Sequence, residues 1–234
     1  MRERHHEVTR LEGFSDAVFG FALTLLVVSL ETPQTVGALR DLMRGFLPFA
    51  LTFAMVCWIW YEHNVFFRRY GLQDPWTAFL NSVLLFVVLF YVYPLKFLTG
   101  ALFSSLIWRD ARPDLLGTAE DGRAVMLLYS AGVVMIFGCF TLLYRHATTR
   151  ADALELDRRA RLQLHYGMRS HLISLSLGLV SIAIATASVA LVPMAGMIYG
   201  LMGPLHAWNG YAGGKAQATL EAPAAAATTK VQAE

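Results

Sequence analysis

The chain contains 234 residues, of which 56% are apolar and only 15% are charged, and its net charge is +2. Soluble domains usually carry about 25% charged residues, so this composition and the mean hydropathy of +0.48 exclude an ordinary soluble protein. The apolar residues occur in blocks close to the about 20 residues that cross a bilayer as a helix. We therefore predict an all-α polytopic membrane protein, with the lipid bilayer as a partner and no nucleic-acid partner.

The first apolar block follows directly on polar residues and extends to Leu30. A helix that began only at Ser15 would have about 16 residues, which is short for a membrane crossing. The helix is therefore predicted to begin near Thr9, so that Ser15 and Asp16 lie within its first turns.

The remaining apolar blocks predict five more membrane spans. Spans 2, 3 and 4 are predicted at residues 46–61, 76–98 and 125–144. No side chain is charged from Leu172 to Leu205, and this stretch is too long for one crossing. We divide it near 188–193 into spans 5 and 6, with Pro193 in the first turn of the second helix. Residues 1–210 then form a six-helix transmembrane domain, and the Ala-rich segment 211–234 is predicted to be a disordered tail.

The distribution of basic residues predicts the orientation, because Lys and Arg favour cytoplasmic loops. If the N-terminus is cytoplasmic, the predicted inner segments contain more arginines than the outer segments. Six crossings return the chain to the side on which it began, so both termini are predicted to be cytoplasmic. The short loops and the lack of a targeting signal favour the plasma membrane as the location of this multi-pass protein.

Three polar residues are predicted at a similar depth in neighbouring spans: Asp16 in span 1, His63 at the end of span 2 and Asn81 early in span 3. Ionisable groups at such a depth are usually partnered and functional. Asp16 can accept hydrogen bonds from His63, Asn81 or Arg10. Alternatively, Ser15 and Asp16 only favour the positive end of the helix dipole, while the other two reach the membrane interface. The residues alone leave both interpretations open.

A motif in the first span resembles the signature of one channel family. The motif, Arg-x-x-x-Phe-Ser-Asp, consists of Arg10, Phe14, Ser15 and Asp16. Together with the apolar helix that follows and Thr24 in its middle, it resembles the transmembrane protein 175 family, which includes the endosomal/lysosomal potassium channel and its prokaryotic homologues. Trp60 and His63 at the end of span 2, and Asn81 early in span 3, agree with the same family.

The resemblance implies a homotetramer of six-span subunits in which the first helix of each subunit lines a central pore for potassium ions. It also implies that a polar network with the following helices holds the motif in place. The residues assigned to this network are Arg10, Phe14, Ser15, Asp16, His63 and Asn81. Hydrophobic rings on the first helix are then expected to form the constriction, in place of the carbonyl filter of ordinary potassium channels.

Carried over to this chain, the hydrophobic rings of the family are Phe21, Leu25 and Val28. They are spaced i, i+4 and i+7 and so share one helix face, with Thr24 on its flank. Phe21 is bulkier than the small or branched residues of the family at this position, which narrows the expected opening. Asp16 lies about 140° from Phe21 around the helix, so we expect it to point into the subunit and to serve packing.

Two assignments in span 1 have plain alternatives. Span 1 is apolar on all sides, so the three ring residues also suit helix packing or lipid contact, and only the resemblance favours the pore. Glu31 at the outer end of the span either gathers cations at the pore mouth or is an interfacial acid without a specific role.

The leading hypothesis is thus a potassium-permeable, homotetrameric cation channel with a hydrophobic constriction. Proton conduction, which the family also suggests, is one alternative, and a membrane scaffold without transport activity is another. An enzyme is not expected, because the spans contain no visible nucleophile–base pair or metal cluster. We expect no cofactor and no metal other than potassium ions in transit.

Overall fold

The computed structural model describes the backbone of residues 8–106 and 117–231 and the side chains of residues 8–104 and 117–221. All regular structure in these ranges is helical, which confirms the predicted all-α class. The α-helices are α1 (Arg10–Val28), α2 (Val36–Arg44), α3 (Phe46–Tyr70), α4 (Pro75–Leu106), α5 (Ala119–Thr149), α6 (Arg158–Ala187), α7 (Val192–Met197) and α8 (Met202–Val231).

The helices are long and apolar enough for a polytopic membrane protein. Five of them could cross a membrane, and α2 and α3 form a pair bent by 44° that gives a sixth candidate span. The last candidate, Val189–Glu221, consists of short helical pieces followed by α8. Five or six crossings therefore agree with the prediction of a multi-pass protein.

The start of α1 follows from its first residues. The Thr9 side chain accepts a hydrogen bond from the amide of Glu12, and the Glu12 carboxylate accepts one from the amide of Thr9. This reciprocal capping box satisfies backbone donors that would otherwise lack partners. It confirms the prediction that the helix begins near Thr9 and includes Ser15 and Asp16.

The break between α6 and α7 lies where the sequence predicts it. Ser188 is extended, with φ −162° and ψ 140°, and its side chain accepts a hydrogen bond from the amide of Ala190. Pro193 lies in the first turn of α7, where it removes no hydrogen bond from the helix. The predicted division at 188–193 is confirmed, although the second span begins with short pieces instead of one continuous helix.

Two features lie outside the predicted elements. The short helix α2 has no buried residue, and its apolar Val36, Leu39 and Met43 are exposed. At the other end of the chain, residues 211–231 continue α8 as a helix. The boundary between a domain at 1–210 and a tail at 211–234 stays a prediction.

Hydrogen bonds to Asp74, in the turn between α3 and α4, connect this turn to α4 and α5. Asp74 accepts hydrogen bonds from the backbone amides of Trp76 and Thr77, which caps the start of α4. Its carboxylate also accepts a hydrogen bond from the Thr77 hydroxyl at 2.8 Å and one from His146 Nε2 of α5 at 2.9 Å. This turn therefore fixes the ends of α3 and α4 next to α5.

Candidate pore helix and its polar network

A chain of buried hydrogen bonds joins α1, α3 and α4. Asn81 Nδ2 donates to Ser15 Oγ at 2.9 Å, and His63 Nε2 donates to Asn81 Oδ1 at 2.7 Å. Ser15 Oγ in turn donates to the carbonyl of Leu11 at 2.8 Å. All three side chains are buried. Because such bonds are strong in a low-dielectric interior, they hold the first turns of α1 against its two neighbours.

The helix faces explain why these three side chains meet. The buried residues of α1 are Ser15, Phe19, Ala22 and Leu26. Their spacing of four, three and four residues places them on one face, which packs on α3 and α4. The His63 ring lies between Phe19 and Phe67, with centroid distances of 5.5 and 4.5 Å. Packing therefore fixes the orientation of the imidazole towards Asn81.

The hydrogen-bond partner of Asp16 is not one of the residues predicted from the sequence. Its Oδ1 accepts a hydrogen bond from the indole Nε1 of Trp60 at 2.8 Å. The structure therefore pairs Asp16 with α3, but through Trp60 and not through His63, Asn81 or Arg10. Asp16 itself is exposed, so it lies at the edge of the packed face of α1.

The two remaining motif residues lie apart from this network. Phe14 is exposed. Arg10 is also exposed, and it forms no hydrogen bond or ion pair with any other residue that the structure describes. Of the six network candidates, the structure thus brings together Ser15, His63 and Asn81. Asp16 forms a separate contact between α1 and α3.

The four pore candidates lie largely on the uncovered side of α1. Phe21 is 60% exposed and Val28 is 72% exposed, while Leu25 is partly buried. Thr24 is exposed, and its hydroxyl donates only to the carbonyl of Gly20 in its own helix, at 2.9 Å. This face is therefore available to an aqueous pore, to another subunit or to lipid.

The C-terminal end of α1 is anchored to α4 by a lysine. Lys96 Nζ of α4 donates to the Ser29 carbonyl at 2.9 Å and to the Ser29 hydroxyl at 2.7 Å. A cation at the C-terminal end of a helix is also favoured by the helix dipole. Glu31 is exposed just beyond this anchor. The signal in the sequence is a single lysine within an otherwise apolar span, which needs a polar partner.

No group of three or more His, Cys, Asp or Glu residues in the described ranges is arranged to hold a metal ion. The candidate site is instead the helix α1, which has one packed face, one uncovered face and a polar anchor near each end.

The family model for the endosomal/lysosomal potassium channel TMEM175 matches residues 10–91, which include α1, α3 and Asn81, the α4 residue of the polar network. The chain is also 38% identical over 188 residues to a potassium channel of Marivirga tractuosa, covering 77% of this chain and 76% of that protein. The chain belongs to the TMEM175 family of potassium channels.

Other members and solved structures agree with this assignment. A potassium channel of Chamaesiphon minutus is 29% identical over 75% of this chain and 86% of its own length. The crystal structure of a variant of the potassium channel MtTMEM175 matches 92% of this chain and 96% of its own, with 32% identity and a TM-score of 0.76. A Chamaesiphon minutus homologue of TMEM175 has 24% identity and a TM-score of 0.57, which supports the fold alone. The family predicted from the motif in α1 is confirmed.

Proposed function

We propose that this chain forms a homotetrameric, potassium-permeable cation channel in the plasma membrane, with four copies of α1 around a central pore and both termini in the cytoplasm. The observation that carries this proposal is the division of α1 into two faces. One face is packed on α3 and α4, and the opposite face, with Phe21 and Val28, is left uncovered by the rest of the described chain. Membership of a potassium channel family supports the same arrangement.

In this arrangement Phe21, Leu25 and Val28 form successive hydrophobic rings along the pore. An apolar ring passes ions if it is wide enough to remain wet, and it closes by losing its water when it narrows. Preference for potassium over sodium then arises because the larger ion gives up hydration water more readily. Thr24 offers a hydroxyl next to these rings, and Glu31 adds negative charge at the outer mouth.

The two anchors set the width of the proposed constriction. The hydrogen bonds from Ser15 to Asn81 and on to His63 fix the inner end of α1. The hydrogen bonds of Lys96 to Ser29 fix the outer end. The anchors are separated by about 21 Å along the helix at 1.5 Å per residue. The rings lie between them, so a small tilt of α1 at either anchor changes the diameter of all rings together.

The proposal is tested with purified protein in planar bilayers, with potassium on one side and sodium on the other. Phe21→Ala and Leu25→Ala should each change the single-channel conductance or the reversal potential. The matched control is Leu179→Ala, an exposed apolar position on α6, a helix that does not pack on α1. Currents that respond equally to all three substitutions would reject the pore assignment.

Two further measurements separate the alternatives. Flux driven by a pH gradient in the absence of potassium would indicate proton conduction. A monomer in mild detergent that carries no flux would indicate a scaffold protein.

A further inference from the structure

A cavity of about 510 Å³ lies between α3, α6 and α8, with Tyr144 of α5 in its wall. Pockets for small ligands usually measure about 300–1,000 Å³. None of the residues that line this cavity belongs to α1 or α4. The cavity is therefore separate from both the proposed pore and the polar network, and neither uses its polar groups.

Two opposite charges, Glu62 and Arg69, line the cavity and form no ion pair with each other, although Glu62 accepts a hydrogen bond from the side chain of Trp58. Glu62 and Arg69 are seven residues apart on α3, which places them on the same face about 10 Å apart along the helix axis. The Oε2 atom of Glu62 is 3.8 Å from His171 Nε2, which is longer than a hydrogen bond. Arg69 forms no ion pair with any carboxylate among residues 8–104 and 117–221. The cavity thus presents a carboxylate and a guanidinium that attract each other across the space but are not joined in an ion pair.

Two buried polar atoms in the wall also lack hydrogen-bond partners. His171 is only 3% exposed, and its Nε2, which faces the carboxylate of Glu62, has no hydrogen bond. Asn209 is buried too. Its Nδ2 donates to the Tyr166 carbonyl at 3.0 Å, but its Oδ1 accepts nothing. Buried groups of this kind are rare and costly unless something outside the described chain satisfies them.

The chemistry of these groups defines a ligand. Glu62 and the Oδ1 atom of Asn209 are acceptors that suit the N–H donors of an ammonium group. The planar guanidinium of Arg69 suits a phosphate or a carboxylate, with which it can form two parallel hydrogen bonds. Arg69 is exposed and Glu62 is partly buried, so the ammonium end enters first. The rings of Tyr61, Tyr144 and Tyr166 in the wall provide aromatic surface for a cation.

We propose that this cavity binds a small zwitterion, with its ammonium group at Glu62 and Asn209 and its phosphate or carboxylate at Arg69. Such a group occurs in soluble phosphoethanolamine and in the headgroup of phosphatidylethanolamine. Both sources offer the same chemistry. The proposal does not depend on whether the channel conducts potassium, because binding is measured without any current.

The first experiment titrates the full-length, detergent-purified protein with phosphoethanolamine by isothermal calorimetry, in a buffer without amines or phosphate. We expect saturable binding of one molecule per chain. Phosphocholine, which has no N–H donor, and glycerol phosphate, which has no cation, should each bind at least about tenfold more weakly, since each loses a charge-assisted hydrogen bond. Equal binding of all three compounds would overturn the proposal, and this comparison requires no variant.

Substitutions of the two charged residues test whether binding occurs in this cavity. Glu62→Gln and Arg69→Gln should each weaken binding of phosphoethanolamine by at least about tenfold. The matched controls are Glu155→Gln and Arg68→Gln, which are exposed and do not line the cavity, and they should bind as the parent does. Variants that elute and melt like the parent but bind with unchanged affinity would reject the site.

A second experiment distinguishes the two sources of the ligand. The protein is extracted from vesicles of phosphatidylethanolamine, phosphatidylcholine and phosphatidylglycerol, and the retained lipid is identified by native mass spectrometry. Selective retention of phosphatidylethanolamine that Glu62→Gln and Arg69→Gln abolish assigns the site to a lipid headgroup. Binding of soluble phosphoethanolamine alone assigns it to a free zwitterion, and the absence of both overturns the proposal.

Discussion

The two faces of α1 are built from similar residues but have different surroundings. On the packed face, Phe19 and Leu26 are buried against α3 and α4. At the N-terminal end of this face, Ser15 takes part in a chain of buried hydrogen bonds. The opposite face carries Phe21 and Val28, which the described chain leaves exposed. Apolar character alone therefore does not distinguish the packed face from the uncovered face, whereas the contacts of one polar residue do.

The largest expected difference comes from the same substitution on the two faces. Phe19→Ala should lower the free energy of unfolding by about 3–5 kcal/mol, because it removes a buried ring and leaves a cavity. Phe21→Ala should change stability by less than about 1 kcal/mol, because the ring is largely exposed, yet it should alter conductance. Thermal unfolding in detergent and single-channel recording check the two effects. Similar losses of stability for both variants would mean that the faces do not differ as described.

The next effect tests the anchor of the packed face. Asn81→Ala removes the partner of Ser15 Oγ and of His63 Nε2 and should cost about 1–3 kcal/mol, because buried polar groups lose their hydrogen bonds. Ser82→Ala is the matched control, since its exposed hydroxyl donates only to the Ala78 carbonyl of its own helix. The measurement is again thermal unfolding. Equal melting of the two variants would contradict a structural role for the buried chain.

A smaller loss is expected at the C-terminal end of α1. Lys96→Met keeps the apolar stem but removes both hydrogen bonds to Ser29, and it should cost about 1–2 kcal/mol. If the proposed pore is correct, the open probability should change as well, because α1 is released at one end. An unchanged melting temperature together with unchanged gating would show that this anchor does not position the helix.

The smallest effect concerns acid stability at the turn that holds α3 and α4 together. Burial alone would raise the pKa of Asp74, but the hydrogen bonds from Thr77 and His146 outweigh it and lower this pKa to about 2. The unfolded value is about 3.9. The stabilisation by Asp74 is therefore complete above about pH 4 and is lost as the pH falls through about 2. Unfolding curves between pH 5 and pH 2 should show a steeper loss for the parent than for Asp74→Asn, and parallel curves would contradict this assignment.

Local patterns were sufficient for much of the fold. The length needed to cross a bilayer predicts that α1 starts near Thr9, and the uncharged stretch near Pro193 predicts the last break. The motif of α1 predicts the family. The missing parts depend on how the helices are rotated against each other. The pairing of Asp16 with Trp60 was not predicted, because depth in the membrane does not say which side of α3 faces α1.

Two other features, the helix α2 and the cavity, could not be predicted from the sequence for related reasons. The helix α2 has only nine residues, of which three are charged, so its pattern is typical of a loop. Its uncovered apolar residues are nevertheless typical of a helix at a membrane surface. The cavity combines side chains from α3, α5, α6 and α8 that are far apart in sequence. No spacing along the chain could show that Glu62, His171 and Asn209 line the same space.

The most direct test of the account is the accessibility of cysteines on the two faces of α1 during potassium current. In a background without Cys57 and Cys139, Phe21→Cys, Thr24→Cys and Val28→Cys are compared with Phe19→Cys in planar bilayers, with a charged, water-soluble thiol reagent added. The account predicts that the reagent reduces the current at the three exposed positions and leaves Phe19→Cys unaffected. Block at Phe19→Cys, or modification of Phe21→Cys without any change in current, would contradict it.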